Sequence, residues 1–136
     1  MIVDCGRVGQ QGLPAALVER SATTAVVLNS TLRSVMSVRV HLPTLLDHGR
    51  PGTDVRSQIG LIVVGEGQPY GTGEIAKALD TTIIGTVAAD RQSAAHLSDG
   101  RPRHRRFDSS PLMRSIVDVG GRLATDLQRS TELVRS

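Results

Sequence analysis

Continuous apolar runs constrain the fold of this chain more than any other feature of its sequence. Two of them lie at residues 24–28 and 59–64, and a third, residues 1–4, opens the chain and ends in Asp4. Residues 81–87 are also expected to form a strand. A strand has a continuous apolar run when both of its faces are buried, which is typical of a parallel sheet covered by helices. The sequence therefore predicts four strands.

Helical signals lie between and after these runs. They cover residues 13–20, 31–47, 73–79 and 90–97, together with a terminal amphipathic helix over residues 110–130. Pro43 predicts a kink or break in the second helix, Thr72 is expected to cap the third, and Asp90 is expected to open the fourth. This alternation predicts a three-layer α/β fold with a mostly parallel sheet and helices on both faces. With 136 residues, the chain is expected to form a single domain, 1–136.

The composition narrows the classes of function. One Tyr, one Phe and no Trp leave an aliphatic core, which argues against a module that stacks bases or sugars on aromatic side chains. The net charge of +3 fits weak attraction to nucleic acid or anionic membranes, and it equally fits an Arg-rich composition without such a partner. The lone Cys5 cannot form an internal disulfide. Since there is also no signal pattern and no apolar run of about 20 residues, we expect a cytoplasmic protein without a transmembrane segment.

Asp4 is the first candidate for chemistry, because it lies where the first predicted strand runs into a glycine-rich loop. In a phosphoryl-transfer site, a carboxylate at this place can hold a Mg²⁺-bound water while the turn, here with Gly6 and Gly9, senses the terminal phosphate. The same pattern also fits an aspartate that only ends a strand and caps a turn. The residues by themselves leave both interpretations open.

Other patterns argue against further sites. The glycine-rich segment 65–71 lacks the lysine and hydroxyl residue of a phosphate-binding loop, and Glu74 follows it where a carboxylate would repel phosphate. The four histidines have no metal-ligand spacing, and no serine lies in a G-x-S-x-G pattern. We therefore expect neither a metal cluster nor a hydrolase triad.

The basic segment 98–108 is a candidate surface for a partner. It is expected to form a loop that carries Arg101, Arg103, Arg105 and Arg106. These arginines could contact the phosphates of a nucleic acid, or they could form an ordinary solvated loop.

Taken together, the segments resemble the carboxyl-terminal half of the MinD/ParA family of P-loop ATPases, which have a deviant Walker motif and belong to the SIMIBI class. The resemblance includes CpaE-like members and actinobacterial septum-site and chromosome-partitioning members. IVDCG at 2–6 resembles the family's strand and switch turn, and VVL at 26–28 with TLRSV at 31–35 resembles its next strand and helix entry. GTVAAD at 85–90 resembles the family's G-x-I-P-x-D segment.

The resemblance implies a P-loop NTPase-like fold that lacks the amino-terminal P-loop unit. It implies that Asp4 is the catalytic switch acid, which binds Mg²⁺ indirectly through water. It also implies that Gly6 and Gly9 form the turn at the phosphates and that Asp90 lies beside the adenine. ATP and Mg²⁺ are the family's cofactors; without the P-loop, we expect this chain alone to bind neither and not to hydrolyse ATP independently. The chain departs from the family at Gly65, where members often carry Asn, and at position 88, where alanine replaces proline.

The resemblance also bears on assembly and role. In the family, the P-loop strand lies between the strands matched by residues 1–4 and 24–28, so its absence leaves two unpaired strand edges. We expect these edges to close onto each other or to be paired by a second chain or an upstream segment. The chain is therefore expected to form a homo-oligomer or to lack its amino-terminal half. The implied role is ATP-dependent positioning of a chromosome, plasmid, septum or pilus and secretion complex, with DNA or a membrane-associated protein as partner. The alternative is a non-catalytic interaction module that binds nucleic acid or a protein through the basic loop.

Overall fold

The computed structural model describes residues 1–8, 15–48, 58–67, 69–100, 102 and 105–135, and it places three strands and five helices within these ranges. In chain order they are α1 (Ala15–Arg20), β1 (Thr23–Asn29), α2 (Leu32–His48), β2 (Gln58–Val64), α3 (Thr72–Leu79), β3 (Ile83–Val87), α4 (Arg91–Ser98) and α5 (Pro111–Arg135).

The strands form one parallel sheet in the order β1-β2-β3. β1 and β2 pair along their whole length, from Thr23 opposite Gln58 to Asn29 opposite Val64. β2 and β3 pair in parallel up to Val64 opposite Val87, with an irregularity in the register between Leu61 and Ile62. The predicted α/β class and parallel sheet are confirmed.

One face of the sheet is covered by α1, α2 and α3. Because side chains alternate between the faces of a strand, Val26 and Leu28 of β1 lie on this face together with Leu61 and Val63 of β2. All four belong to one buried cluster. The helices contribute the rest of the cluster: Val18, Val35, Leu42, Leu45, Ile75 and Leu79. Each fully buried aliphatic side chain of this kind contributes about 1.5–3 kcal/mol to the stability.

The opposite face is covered by α5, which packs on β3. A Cβ atom on Gly85 would lie 2.5 Å from Cγ2 of Val119, so the helix approaches the strand closely at this point. The backbone N–H of Ala88 donates to Oγ of Ser115 at 3.0 Å, which ties the end of β3 to the same helix. On β1, by contrast, Ala25 and Val27 are exposed on this face.

Two predictions about local structure are wrong, and one of the two alternatives at Pro43 is excluded. Residues 1–4 form no strand and are exposed, since no neighbouring strand takes up their backbone hydrogen bonds in the described part of the chain. Thr72 does not cap α3; it is the first helical residue, and Gly71 occupies the cap position. Pro43 does not break α2, which continues through it to His48.

Candidate functional site

The carboxyl ends of the three strands meet at one edge of the sheet. Asn29, Val64 and Val87 lie side by side as the last residues of β1, β2 and β3. The loops that follow them therefore converge. In open parallel sheets ligands bind at this edge, outside the carboxyl ends of the strands. We call it the carboxyl edge.

Hydrogen bonds from Ser30 join the loop after β1 to the loop after β2, which begins at Gly65. The backbone N–H of Ser30 donates to the carbonyl of Val64 at 3.2 Å, and its hydroxyl donates to the carbonyl of Gly65. Ser30 is 2% exposed, so this polar group is buried and satisfied. Ser30 was not among the residues predicted from the sequence, although a polar residue directly after a buried strand is the signal that could have identified it.

Gly65 has a conformation and surroundings that favour glycine. Its φ of 73° lies in the left-handed region, and a Cβ atom there would lie 3.1 Å from Cβ of Ala89. Its N–H donates to the carbonyl of Val87 at 3.0 Å, which joins the second loop to the third. An asparagine at this position would be strained, because its Cβ atom would lie close to Ala89 in a left-handed backbone conformation.

The loop after β2 presents carboxylates rather than a phosphate cradle. Oε1 of Glu66 accepts the hydroxyl of Thr72 at 2.8 Å, and Oε2 of Glu74 accepts the N–H of Gly71 at 2.9 Å. Both groups are exposed, and the negative charges lie at the start of α3, where a helix N-terminus would otherwise attract an anion. Lys77, the only lysine of the chain, lies in the last turn of α3. The described residues therefore do not fit a triphosphate.

Asp90 caps α4. Its Oδ1 accepts the N–H of Ser93 at 3.0 Å, and its Oδ2 accepts the hydroxyl of the same residue at 2.6 Å. Ser93 is 2% exposed and Asp90 is half-buried. The prediction that Asp90 opens this helix is confirmed, and the carboxylate has a structural role at the carboxyl edge.

Asp4 lies in the exposed segment 1–8. Its Oδ1 accepts the N–H of Gly6 at 2.8 Å, and Gly6 has a φ of 68°. This hydrogen bond closes a local turn of the kind that Asp side chains often form. Gly9 lies outside the described residues. In the described ranges, no group of three or more His, Cys, Asp or Glu side chains could hold a metal ion.

The basic segment precedes α5. Arg105 and Arg106 are exposed in a turn, whereas Arg101 and Arg103 lie outside the described residues. Phe107 follows at 1% exposure and packs edge-on against His96, with 5.8 Å between the ring centroids. The aromatic contact anchors the end of the basic segment to α4.

An open groove of about 750 Å³ lies at the opposite edge of the sheet, where β2 and β3 begin. Thr82 and Ile84 line one side, and the middle part of α5 lines the other with Asp118, Arg122 and Arg129. Because acidic and basic side chains alternate along this wall, the groove does not select a ligand by charge. It also lies away from the carboxyl edge.

A comparison with solved structures shows which fold this is. The chain matches the MinD cell division protein of Aquifex aeolicus with a TM-score of 0.63 and 18% sequence identity, over 79% of this chain and 46% of that one. The chain has a partial MinD-like fold. It spans less than half the length of the MinD chain that it matches. No protein-family profile matches the sequence, and no curated protein matches it either. Among the described helices, none has the length and apolar character needed to cross a membrane.

Proposed function

We propose that this chain is a part of a MinD/ParA-type ATPase whose carboxyl edge faces a nucleotide held with the help of another polypeptide segment. The role is that of the family: ATP-dependent positioning of a chromosome, plasmid, septum or secretion complex. The observation that carries the proposal is the MinD-like fold over 79% of the chain. The place of the carboxyl edge, at which parallel sheets of this type bind ligands, supports it.

In this proposal the chain does not hydrolyse ATP by itself. Glu66 and Glu74 carry negative charge beside the N-terminus of α3, and the only lysine lies at the other end of that helix. The groups that neutralise the phosphates in P-loop enzymes, a lysine and backbone N–H groups free of nearby carboxylates, must come from elsewhere. ATP and Mg²⁺ are then cofactors of the assembled enzyme.

Four residues have assigned roles in that assembly. Asp4 is the switch acid that would hold a Mg²⁺-bound water, and Gly6 and Gly9 give its turn the freedom to follow the terminal phosphate. Asp90 and its loop would lie beside the adenine. The exposure of Asp4 supports its role, since an exposed turn can move onto a nucleotide without breaking a packed core.

The direct test is titration of the full chain with Mg²⁺-ATP by calorimetry. We expect no saturable binding to the chain alone. Tight binding without any added polypeptide would refute the proposal that another segment supplies part of the nucleotide site.

The positive test supplies the missing groups. The DNA upstream of the first codon is read for a glycine-rich, lysine-containing loop, and the encoded segment is co-expressed with this chain. We expect ATP turnover in the mixture, its loss in Asp4→Asn, and its retention in the matched control Asp108→Asn, which changes another exposed carboxylate. Equal turnover in both variants would remove Asp4 from the mechanism.

The exposed Arg105 and Arg106 support a second candidate function, the binding of nucleic acid or an acidic partner through the basic loop. Binding through arginine–phosphate contacts weakens steeply with salt. We expect a salt-dependent shift of duplex DNA in gel electrophoresis that is weakened in Arg105→Ala/Arg106→Ala and retained in Arg122→Ala/Arg129→Ala, which removes the same charge from α5. A shift that is insensitive to salt would contradict this function.

A further inference from the structure

The outer edge of β1 has a defined set of backbone groups that point away from the sheet. At one end of the β1–β2 ladder, the N–H of Gln58 donates to the carbonyl of Ala22 at 3.0 Å. At the other end, the N–H of Ser30 donates to the carbonyl of Val64 at 3.2 Å. In a parallel ladder, alternate residues of a strand bond to the same neighbour. The even-numbered residues of β1 therefore bond to β2, and the odd-numbered ones point outward.

Three of the outward residues have both backbone groups available as far as the described ranges of the chain extend. Asn29 does not, because its N–H donates to Oγ of Ser34 at 3.0 Å. At Thr23, Ala25 and Val27, no hydrogen bond across the outer edge forms within the described part of the chain, where β1 is the last strand of the sheet. Unpaired N–H and C=O groups in such a row are a template for another strand.

The side chains of β1 do nothing to protect this edge. The strand reads TTAVVLN, without charge or proline, and Val27 is 63% exposed on the face that α5 leaves open. Natural edge strands are usually blocked by lysine, proline or a bulge. An uncharged, β-branched edge with an open face is therefore suited to pairing.

We propose that a second copy of this chain occupies the edge, with the two β1 strands antiparallel about a twofold axis at Ala25. In this register Ala25 faces Ala25 of the second copy. Thr23 of each copy faces Val27 of the other. Each of these three pairs exchanges two backbone hydrogen bonds, which uses every available group. A register shifted toward Asn29 would require the N–H that already bonds to Ser34.

The chemistry of the edge favours a second copy over a different partner. An isologous interface places the same patch against itself, so any charge on it would meet its like. The seven residues of β1 carry none. The segment that the proposed function requires would need the same edge, because the family's P-loop strand lies beside the strand matched by residues 24–28. The inference therefore concerns the chain in the absence of that segment.

Charge substitution at the axis tests both the contact and its register. Wild-type protein is expected to sediment with a mass near twice 14.5 kDa. Ala25→Lys and Ala25→Glu each place like charges opposite each other and are expected to sediment as monomers, whereas an equimolar mixture of the two is expected to restore the dimer. The mixture separates specific pairing at Ala25 from loss of folding, since an unfolded variant would not be rescued.

Val40→Lys is the matched control, because it puts the same charge on a side chain that is 71% exposed on α2. It is expected to remain a dimer. A monomeric wild-type protein would overturn the proposal, and this is also the outcome if the chain's own residues 1–3 cover the edge. Association that survives both Ala25 substitutions would overturn it as well, because another surface would then be responsible.

Cross-linking gives an independent measure of the register. In a Cys5→Ser background, which removes the one native thiol, Ala25→Cys is expected to form a disulfide-linked dimer on mild oxidation. Directly opposed residues of a hydrogen-bonded pair have Cα atoms about 5.5 Å apart, within disulfide range. Val40→Cys in the same background is expected to stay monomeric on a denaturing gel. Equal cross-linking of the two variants would contradict the register.

Discussion

The contact between Gly85 and Val119 gives the most quantitative prediction about this fold. In Gly85→Ala, the new methyl carbon would lie 2.5 Å from Cγ2 of Val119 and 3.5 Å from its Cβ and Cγ1. Ordinary van der Waals contact begins at 3.4 Å, so the first distance is short by 0.9 Å (3.4 minus 2.5). Val119 is 7% exposed and β-branched, and its single stiff χ1 rotamer cannot turn away within a helix.

The overlap can be relieved only by moving α5 away from β3. Overpacking of this kind costs about 1–3 kcal/mol. Replacing glycine by alanine also restricts the unfolded chain, which raises the free energy of unfolding by about 0.4–1 kcal/mol. The free energy of unfolding of Gly85→Ala is therefore expected to fall by about 1–2 kcal/mol.

Urea unfolding followed by circular dichroism measures this change. With a slope of about 2 kcal/mol per molar urea, the midpoint is expected to fall by about 0.5–1 M. The control is a double-mutant cycle with Val119→Ala, which removes both Cγ atoms; in that background Gly85→Ala is expected to raise the free energy of unfolding by about 0.4–1 kcal/mol. If Gly85→Ala costs the same in both backgrounds, the argument from this contact is refuted.

Three further substitutions test single local features. Asp90→Ala removes the cap of α4 and is expected to destabilise the fold by about 1 kcal/mol in the same urea assay; an unchanged midpoint would show that the two hydrogen bonds to Ser93 contribute nothing net. Asp80→Gly relieves a left-handed residue with φ 47° at the end of α3 and is expected to raise the free energy of unfolding by about 0.5–1 kcal/mol, whereas a loss would mean that the side chain has a role beyond the cap. Gly121→Ala adds a methyl group with no atom within 4 Å inside α5 and is expected to gain about 0.5–1 kcal/mol; a lower thermal midpoint would argue against a continuous helix there.

The local sequence was enough to predict the three strands of the sheet and the helices that connect them. The run at residues 59–64 corresponds to β2, because an apolar stretch buried on both faces has few other stable conformations. Asp90 was predicted to open α4 because a carboxylate before a helix satisfies N–H groups only a few residues away. Such interactions are short-range, so they can be inferred without knowing what the segment packs against.

The candidate site was predicted only in part. Asp90 caps α4 as predicted, whereas its place beside an adenine stays a prediction. The hydrogen bond between Ser30 and Gly65 spans 35 positions, and no pattern near either residue indicates the other. The roles of Asp4, Gly6 and Gly9 stay predictions, since they depend on a nucleotide and on a turn that is only partly described.

The sequence by itself determined the α/β class, the parallel direction of the strands and the cap of α4, because these follow from periodicity and from contacts within one turn of the chain. Tertiary structure decided whether an apolar segment becomes a strand at all. Residues 1–4 and β1 have similar apolar character, yet β1 has β2 beside it to pair its backbone, and residues 1–4 have no such neighbour in the described structure. A strand exists only when another strand takes up its hydrogen bonds, and that neighbour is not encoded in the segment itself.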